Sequence, residues 1–128
     1  MITALYASLC TCLMIWLSIE VIKQRRTHKV AYDDGDIESL QIARSAQSNA
    51  VEYIPITLIL MAFLEYNSGM SIWLHIIGVV FVCGRLMHAR AILTNTFPGR
   101  KFGMLLTFSV MMVLIVLNFA YLPFEKLW

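Results

Sequence analysis

Three clusters of polar residues interrupt the apolar stretches of this 128-residue chain. Asn49, Glu52 and Tyr53 stand at i, i+3 and i+4, so on a helix they share one face. An amide, a carboxylate and a phenol so placed can hydrogen-bond the amine and amide groups of an amino acid. The same spacing suits a helix–helix clamp in which Glu52 pairs with Arg85 across a bundle, and the two readings are compatible. Arg85 and His88, at i and i+3, share a second face. Arg85 also ends the apolar run Ile76–Cys83, where an arginine serves equally as a snorkelling anchor, and a boundary histidine serves equally as a surface group. Arg100 and Lys101 precede the last long apolar stretch, at a helix N-terminus whose macrodipole is already positive. They read either as two basic boundary charges or as an electropositive spot for a carboxylate or a thiolate, because such sites lower a thiol's pKa.

These residues need elements to hold them. Apolar residues make up 59% of the chain and charged residues 14%, against roughly 45–50% and about 25% in soluble domains. The mean hydropathy is +0.73. A soluble domain of this size buries too small a share of its surface to hide so much apolar area. A soluble enzyme, a disordered chain and a nucleic-acid module are therefore excluded, and a net charge of +2 calls for no polyanion. Four stretches approach the roughly 20 residues that cross a bilayer. The expected architecture is an all-α membrane protein, an antiparallel bundle of four transmembrane helices. A single domain over residues 1–128 is expected, with spans near 2–24, 40–66, 71–96 and 101–122. The first stretch lacks a basic leader and a cleavage site, so it reads as a retained span. Pro55 should kink the second helix or free a carbonyl.

The connections differ in charge. The first holds Lys23, Arg25, Arg26, Lys29, Asp33, Asp34, Asp36 and Glu38, and its Asp33-Asp34-Gly35-Asp36 segment is a solvated turn signal. Tyr66–Gly69 carries no basic residue, whereas Phe97–Lys101 is basic again. The positive-inside rule then places the first and third connections in the cytoplasm and both termini outside. Trp128 suits an interfacial anchor. Glu20 is expected to pair with Lys23 or Gln24, Glu65 to be solvated, and His75 to be an interfacial or packing residue. Cys10, Cys12 and Cys83 show no framework spacing and read as small packing residues, and no metal site is expected.

Asn49-Ala50-Val51-Glu52-Tyr53-Ile54-Pro55, preceded by Ala46-Gln47, resembles the second-helix N-x-x-E-Y-x-P signature of the MAPEG family, the membrane-associated proteins in eicosanoid and glutathione metabolism. Gly84-Arg85-Leu86-Met87-His88 resembles its third-helix G-R-x-x-H element, and Val21-Ile22 with Arg25-Arg26 resembles the end of its first helix. The likeness spans the whole chain and is greatest to small bacterial inner-membrane members. It implies a homotrimer with glutathione as co-substrate, held in clefts between subunits that open toward the cytoplasm. It also implies Arg26, Gln47, Asn49, Glu52, Tyr53, Arg85 and His88 as the glutathione-binding set. Arg100 stands as the catalytic, thiolate-stabilising residue, with Lys101 as rival. Two positions depart from the pattern. Ser45 stands where the family commonly has arginine, with Arg44 one residue away, and Ile92 stands where some members have tyrosine.

The function this implies is a glutathione-dependent membrane transferase or peroxidase acting on hydrophobic electrophiles dissolved in lipid. Its expected partners are a second and third copy of the chain, membrane lipid and the electrophile, with no nucleic acid. The alternatives are a non-catalytic binding or scaffold protein of the same fold and a small multidrug-type transporter. Against the transporter stands Glu20, too near a helix end for a midplane proton site.

Overall fold

The computed structural model describes residues 1–123, and Trp128 lies outside the described residues. The chain forms four α-helices: α1 (Ile2–His28), α2 (Glu38–Ser68), α3 (Ser71–Leu93) and α4 (Phe97–Ala120). No strand occurs among the described residues. Each helix is long and apolar enough to cross a membrane.

A narrow stripe on each helix turns inward. It runs through Tyr6, Cys10, Leu13, Leu17 and Val21 on α1, and through Ala43, Ala46, Ala50, Ile54, Thr57, Met61 and Leu64 on α2. The three- and four-residue steps are those of helices crossing at shallow angles. The other faces carry exposed Leu5, Ile15, Phe63, Ile76 and Val116, as helices facing lipid require. Cross-helix contacts give the directions. Gln47 meets Ser18 while Glu65 meets Ile2, so α1 and α2 run antiparallel. Arg85 meets Thr107 while His88 meets Arg100, so α3 and α4 do too. α2 and α3 form the centre and each touches both outer helices, whereas α1 and α4 do not touch.

The helix ends differ from the sequence expectation. α1 extends to His28 and stops at Lys29, in the left-handed conformation with φ 55°. α3 ends at Leu93 rather than near 96, and α4 begins at Phe97 rather than 101. The third connection is therefore only Thr94-Asn95-Thr96, turned by Asn95 at φ 53°. Pro98 does not break the element: in a first turn its missing N–H has no partner to lose. Arg100 thus sits in the first turn of α4. α2 runs unbroken through Pro55, and the carbonyl of Val51 loses its usual donor there. Glu65, expected to be solvated, instead accepts the N–H groups of Ile2 and Thr3, with Thr3 at 2.9 Å. It satisfies two of the four free donors that open α1. His75 bonds the hydroxyl of Tyr6 at 2.9 Å through Nδ1.

The closest helix pairing is α3 against α4, where Gly84 and Gly103 face each other. A Cβ at Gly103 would stand 2.8 Å from the backbone N of His88 and 2.9 Å from the carbonyl oxygen of Gly84. These are backbone atoms, so the helices themselves would have to part. Gly103→Ala is expected to lower stability by about 1–3 kcal/mol, the usual cost of overpacking a filled interface. Thermal unfolding in mild detergent checks this, and a melting temperature equal to the parent's would mean that α4 rides more loosely on α3.

Candidate functional site

Where α2, α3 and α4 meet at the end carrying the first and third connections, an open cleft of about 890 Å³ lies on the bundle surface. The second helix supplies Arg44, Ser45, Gln47, Ser48, Asn49, Val51 and Glu52. The third supplies His88 and Ile92, the fourth Arg100 and Met104, and the first connection Asp33 and Asp34. Four of the residues implied by the family signature therefore meet with the thiolate candidate in one place: Gln47, Asn49, Glu52 and His88 with Arg100. Lys101 is exposed and does not line the cleft, so the geometry favours Arg100 of the two.

Behind the cleft wall sits Arg85, fully buried. Its guanidinium donates to Asn49 Oδ1 at 2.6 Å and to Thr107 Oγ1 at 3.3 Å. Its carbon lies 5.8 Å from the centre of the Tyr53 ring, which packs edge-on against Phe108. The anchor reading of Arg85 is thereby replaced: the side chain points into the bundle rather than to the interface. Its Nε has no hydrogen-bond partner among the described residues. The clamp reading also fails in its partner. Glu52 is exposed and accepts from Ser48 Oγ at 3.0 Å, and no carboxylate among the described residues pairs with Arg85. The reason is angular. Three residues turn a helix by roughly 300°, so with Ala46, Ala50 and Ile54 buried, Glu52 rotates to the outer edge while Asn49 still reaches inward.

The remaining expected residues divide. Gln47 donates to Ser18 Oγ at 2.9 Å, tying the cleft to α1. His88 is buried, with 6% of its surface exposed, and its Nδ1 lies 2.8 Å from the Arg100 carbonyl oxygen. Tyr53 supports Arg85 instead of lining the cleft, and Arg26 is exposed and outside it. Glu20 pairs with Lys23 at 2.7 Å, which fills the one acidic group of the first span.

Two features escaped the sequence reading. Arg44 donates to Asp33 Oδ1 at 2.8 Å and stands 3.9 Å from Asp34, so the first connection is latched onto the cleft rim. The hydrogen bond from Arg44 holds the Asp33 carboxyl below its ordinary range. Both groups are charged at neutral pH, and the contact weakens as pH falls and Asp33 takes up a proton. The second is Thr107, the partner of Arg85. A buried arginine needs acceptors, and Thr107 is one of the few polar groups in the last apolar stretch. Among the described residues no group of three His, Cys, Asp or Glu side chains could hold a metal ion.

These contacts rank two substitutions. Asn49→Ala removes the shortest bond to a buried cation and is expected to cost about 1.5–3 kcal/mol. Glu52→Gln, at an exposed site, is expected to cost less than about 1 kcal/mol. Thermal unfolding of both variants in one detergent tests the order, and the reverse order would restore the Glu52–Arg85 pair.

Comparison with known proteins identifies the family. The family model described as MAPEG family matches residues 3–120. The inner membrane protein YecN of Escherichia coli K12 is 39% identical over 125 residues, covering 98% of this chain and 95% of that protein. YecN of E. coli O6:H1 is similar to the same extent. With its motifs on α2 and α3 and four helices able to cross a membrane, the chain belongs to the MAPEG family.

Proposed function

We propose that the protein is a glutathione-dependent transferase or peroxidase of the inner membrane. The carrying observation is the cleft, where Arg44, Arg100, Asn49, His88 and Glu52 converge beside apolar Val51, Ile92 and Met104. A tripeptide with two carboxylates, one ammonium and a thiol suits cations, an amide and one carboxylate in this proportion. A lipid-dissolved electrophile suits the apolar rim. Arg100 stabilises the thiolate, helped by the first turn of α4, where the helix dipole adds positive potential. Thiolate attack on the electrophile then needs no protein nucleophile.

The assembly follows as part of this reading. The cleft is open on the surface of one chain, and Arg26 lies outside it on an exposed face. A closed threefold arrangement would cover each cleft with a neighbouring subunit that brings its own Arg26. A non-catalytic binding protein is the second reading. It is favoured by the Asp33–Arg44 contact, which already occupies one cation of the cleft, and by Ser45 and Ile92 on its lining.

Binding and turnover distinguish the two. Purified protein should bind glutathione and show thiolate absorbance on mixing. Arg100→Ala should lower turnover by about tenfold to a hundredfold and weaken binding by less than about threefold. Binding without thiolate in the parent protein would select the non-catalytic reading. The cleft end carries Arg25, Arg26, Lys29, Arg90, Arg100 and Lys101, so it should face the cytoplasm and both termini the periplasm. Reporter fusions at Trp128 that are active only in the cytoplasm would reverse this orientation.

A further inference from the structure

A carbonyl oxygen has no hydrogen to give. The 2.8 Å contact between His88 Nδ1 and the Arg100 carbonyl therefore requires that Nδ1 carries the hydrogen and donates it. In the neutral ring this leaves Nε2 as a bare lone pair. His88 Nε2 makes no hydrogen bond to the described residues, and it is absent from the sealed, unpartnered polar atoms of the interior. His88 itself lines the cleft together with Arg100.

We infer that His88 Nε2 is the proton acceptor of the cleft, taking the hydrogen of a bound thiol as its sulfur becomes a thiolate. This rests on the glutathione reading above and adds a residue to it. The step balances: the S–H bond breaks, its electron pair stays on sulfur, and the proton forms an Nε2–H bond on a ring that becomes imidazolium. Deprotonation by water then returns the ring to its neutral form. The charged groups around His88 set the direction of each part. Arg85 lies one turn earlier on α3, and Arg100 faces it from α4. From α2 Arg44 and Glu52 line the same cleft, and Asp33 and Asp34 enter from the first connection. The arginines favour the thiolate and oppose a lasting imidazolium, so the ring passes its proton on. The same hydrogen bond that fixes the tautomer also holds the backbone of Arg100. Proton acceptor and thiolate stabiliser are thus built as one unit, with Gly84 and Gly103 bringing their helices close enough to form it.

The variant His88→Asn tests this, because the asparagine amide reaches the Arg100 carbonyl from nearly the place of Nδ1 and has no counterpart to Nε2. Rates are compared at saturating glutathione, so that any loss of binding is kept apart from the proton-transfer step. Thiolate should appear about a hundredfold more slowly in stopped-flow absorbance. Added imidazole should restore much of that rate, and the parent's rise in rate as the ring loses its proton with rising pH should be lost. Thiolate formation at the parent's rate would overturn the assignment. So would a slow rate that imidazole leaves unchanged, since His88 would then act only through Arg100. Nitrogen NMR of histidine-labelled parent protein gives an independent reading. A ring with hydrogen on Nδ1 and a bare Nε2 that takes up a proton on acidification supports the assignment, and hydrogen on Nε2 at neutral pH overturns it. If the parent binds no glutathione, the proposed function fails by itself, and the NMR result still decides the state of His88.

Discussion

A guanidinium with no carboxylate partner among the described residues stands at the centre of this bundle. Among the described residues Arg85 is the largest fully buried side chain, and it follows Leu74, Ile77 and Phe81 along the buried face of α3. A charge in so apolar a place must be hydrogen-bonded or it would expel itself toward water. The fold answers with three groups from the two neighbouring helices: the Asn49 amide and the face of Tyr53 from α2, and the Thr107 hydroxyl from α4. None of these carries a full negative charge, so the site keeps its positive potential. Asn49 is the joint between the two halves of the design. It holds Arg85 on the inner side and lines the cleft on the outer side. A ligand touching Asn49 therefore meets a dipole already polarised by a buried cation.

The approach of α3 and α4 depends on the same economy of bulk. Gly84 and Gly103 let the backbones meet where a methyl group would not fit, and Ala91 closes on Gly99 one turn further. In lipid there is little hydrophobic drive between helices, and close backbone packing is what remains. That packing brings the His88 ring against the first turn of α4. It also sets the height of Arg100 at the cleft. The short Thr94-Asn95-Thr96 turn contributes too, because it leaves α4 no slack to slide.

Much of this was legible in the residues. Four apolar stretches correspond to four helices, and of the residues paired by spacing Asn49 does meet Arg85, while Glu52 and His88 line the cleft. What stayed hidden has physical causes. The partner of Arg85 could not be read from charge complementarity, because the bundle uses neutral acceptors instead of Glu52. The role of Glu65 depends on where α1 begins in space, a tertiary fact that no local pattern encodes. The start of α4 was obscured by Pro98 and Gly99, residues that more often end helices but that fit a first turn. The latch of Arg44 needs the left-handed backbone at Asp33 to swing its carboxylate over the cleft, and periodicity is silent about loops.

The separation of α1 from α4 gives the molecule a mechanical layout. Each outer helix leans on the central pair and neither leans on the other. A tilt of α1 is therefore transmitted to α4 only through α2 and α3, and the Arg85 cross-link stiffens that route. The first connection hangs on the α1–α2 side through Val30 and Ile37, which pack against Val21, Leu40 and Ala43. The His88–Arg100 unit belongs to the α3–α4 side. The cleft thus takes its lining from both halves of the bundle, Asp33 and Asp34 from the first connection and His88 and Arg100 from the α3–α4 pair.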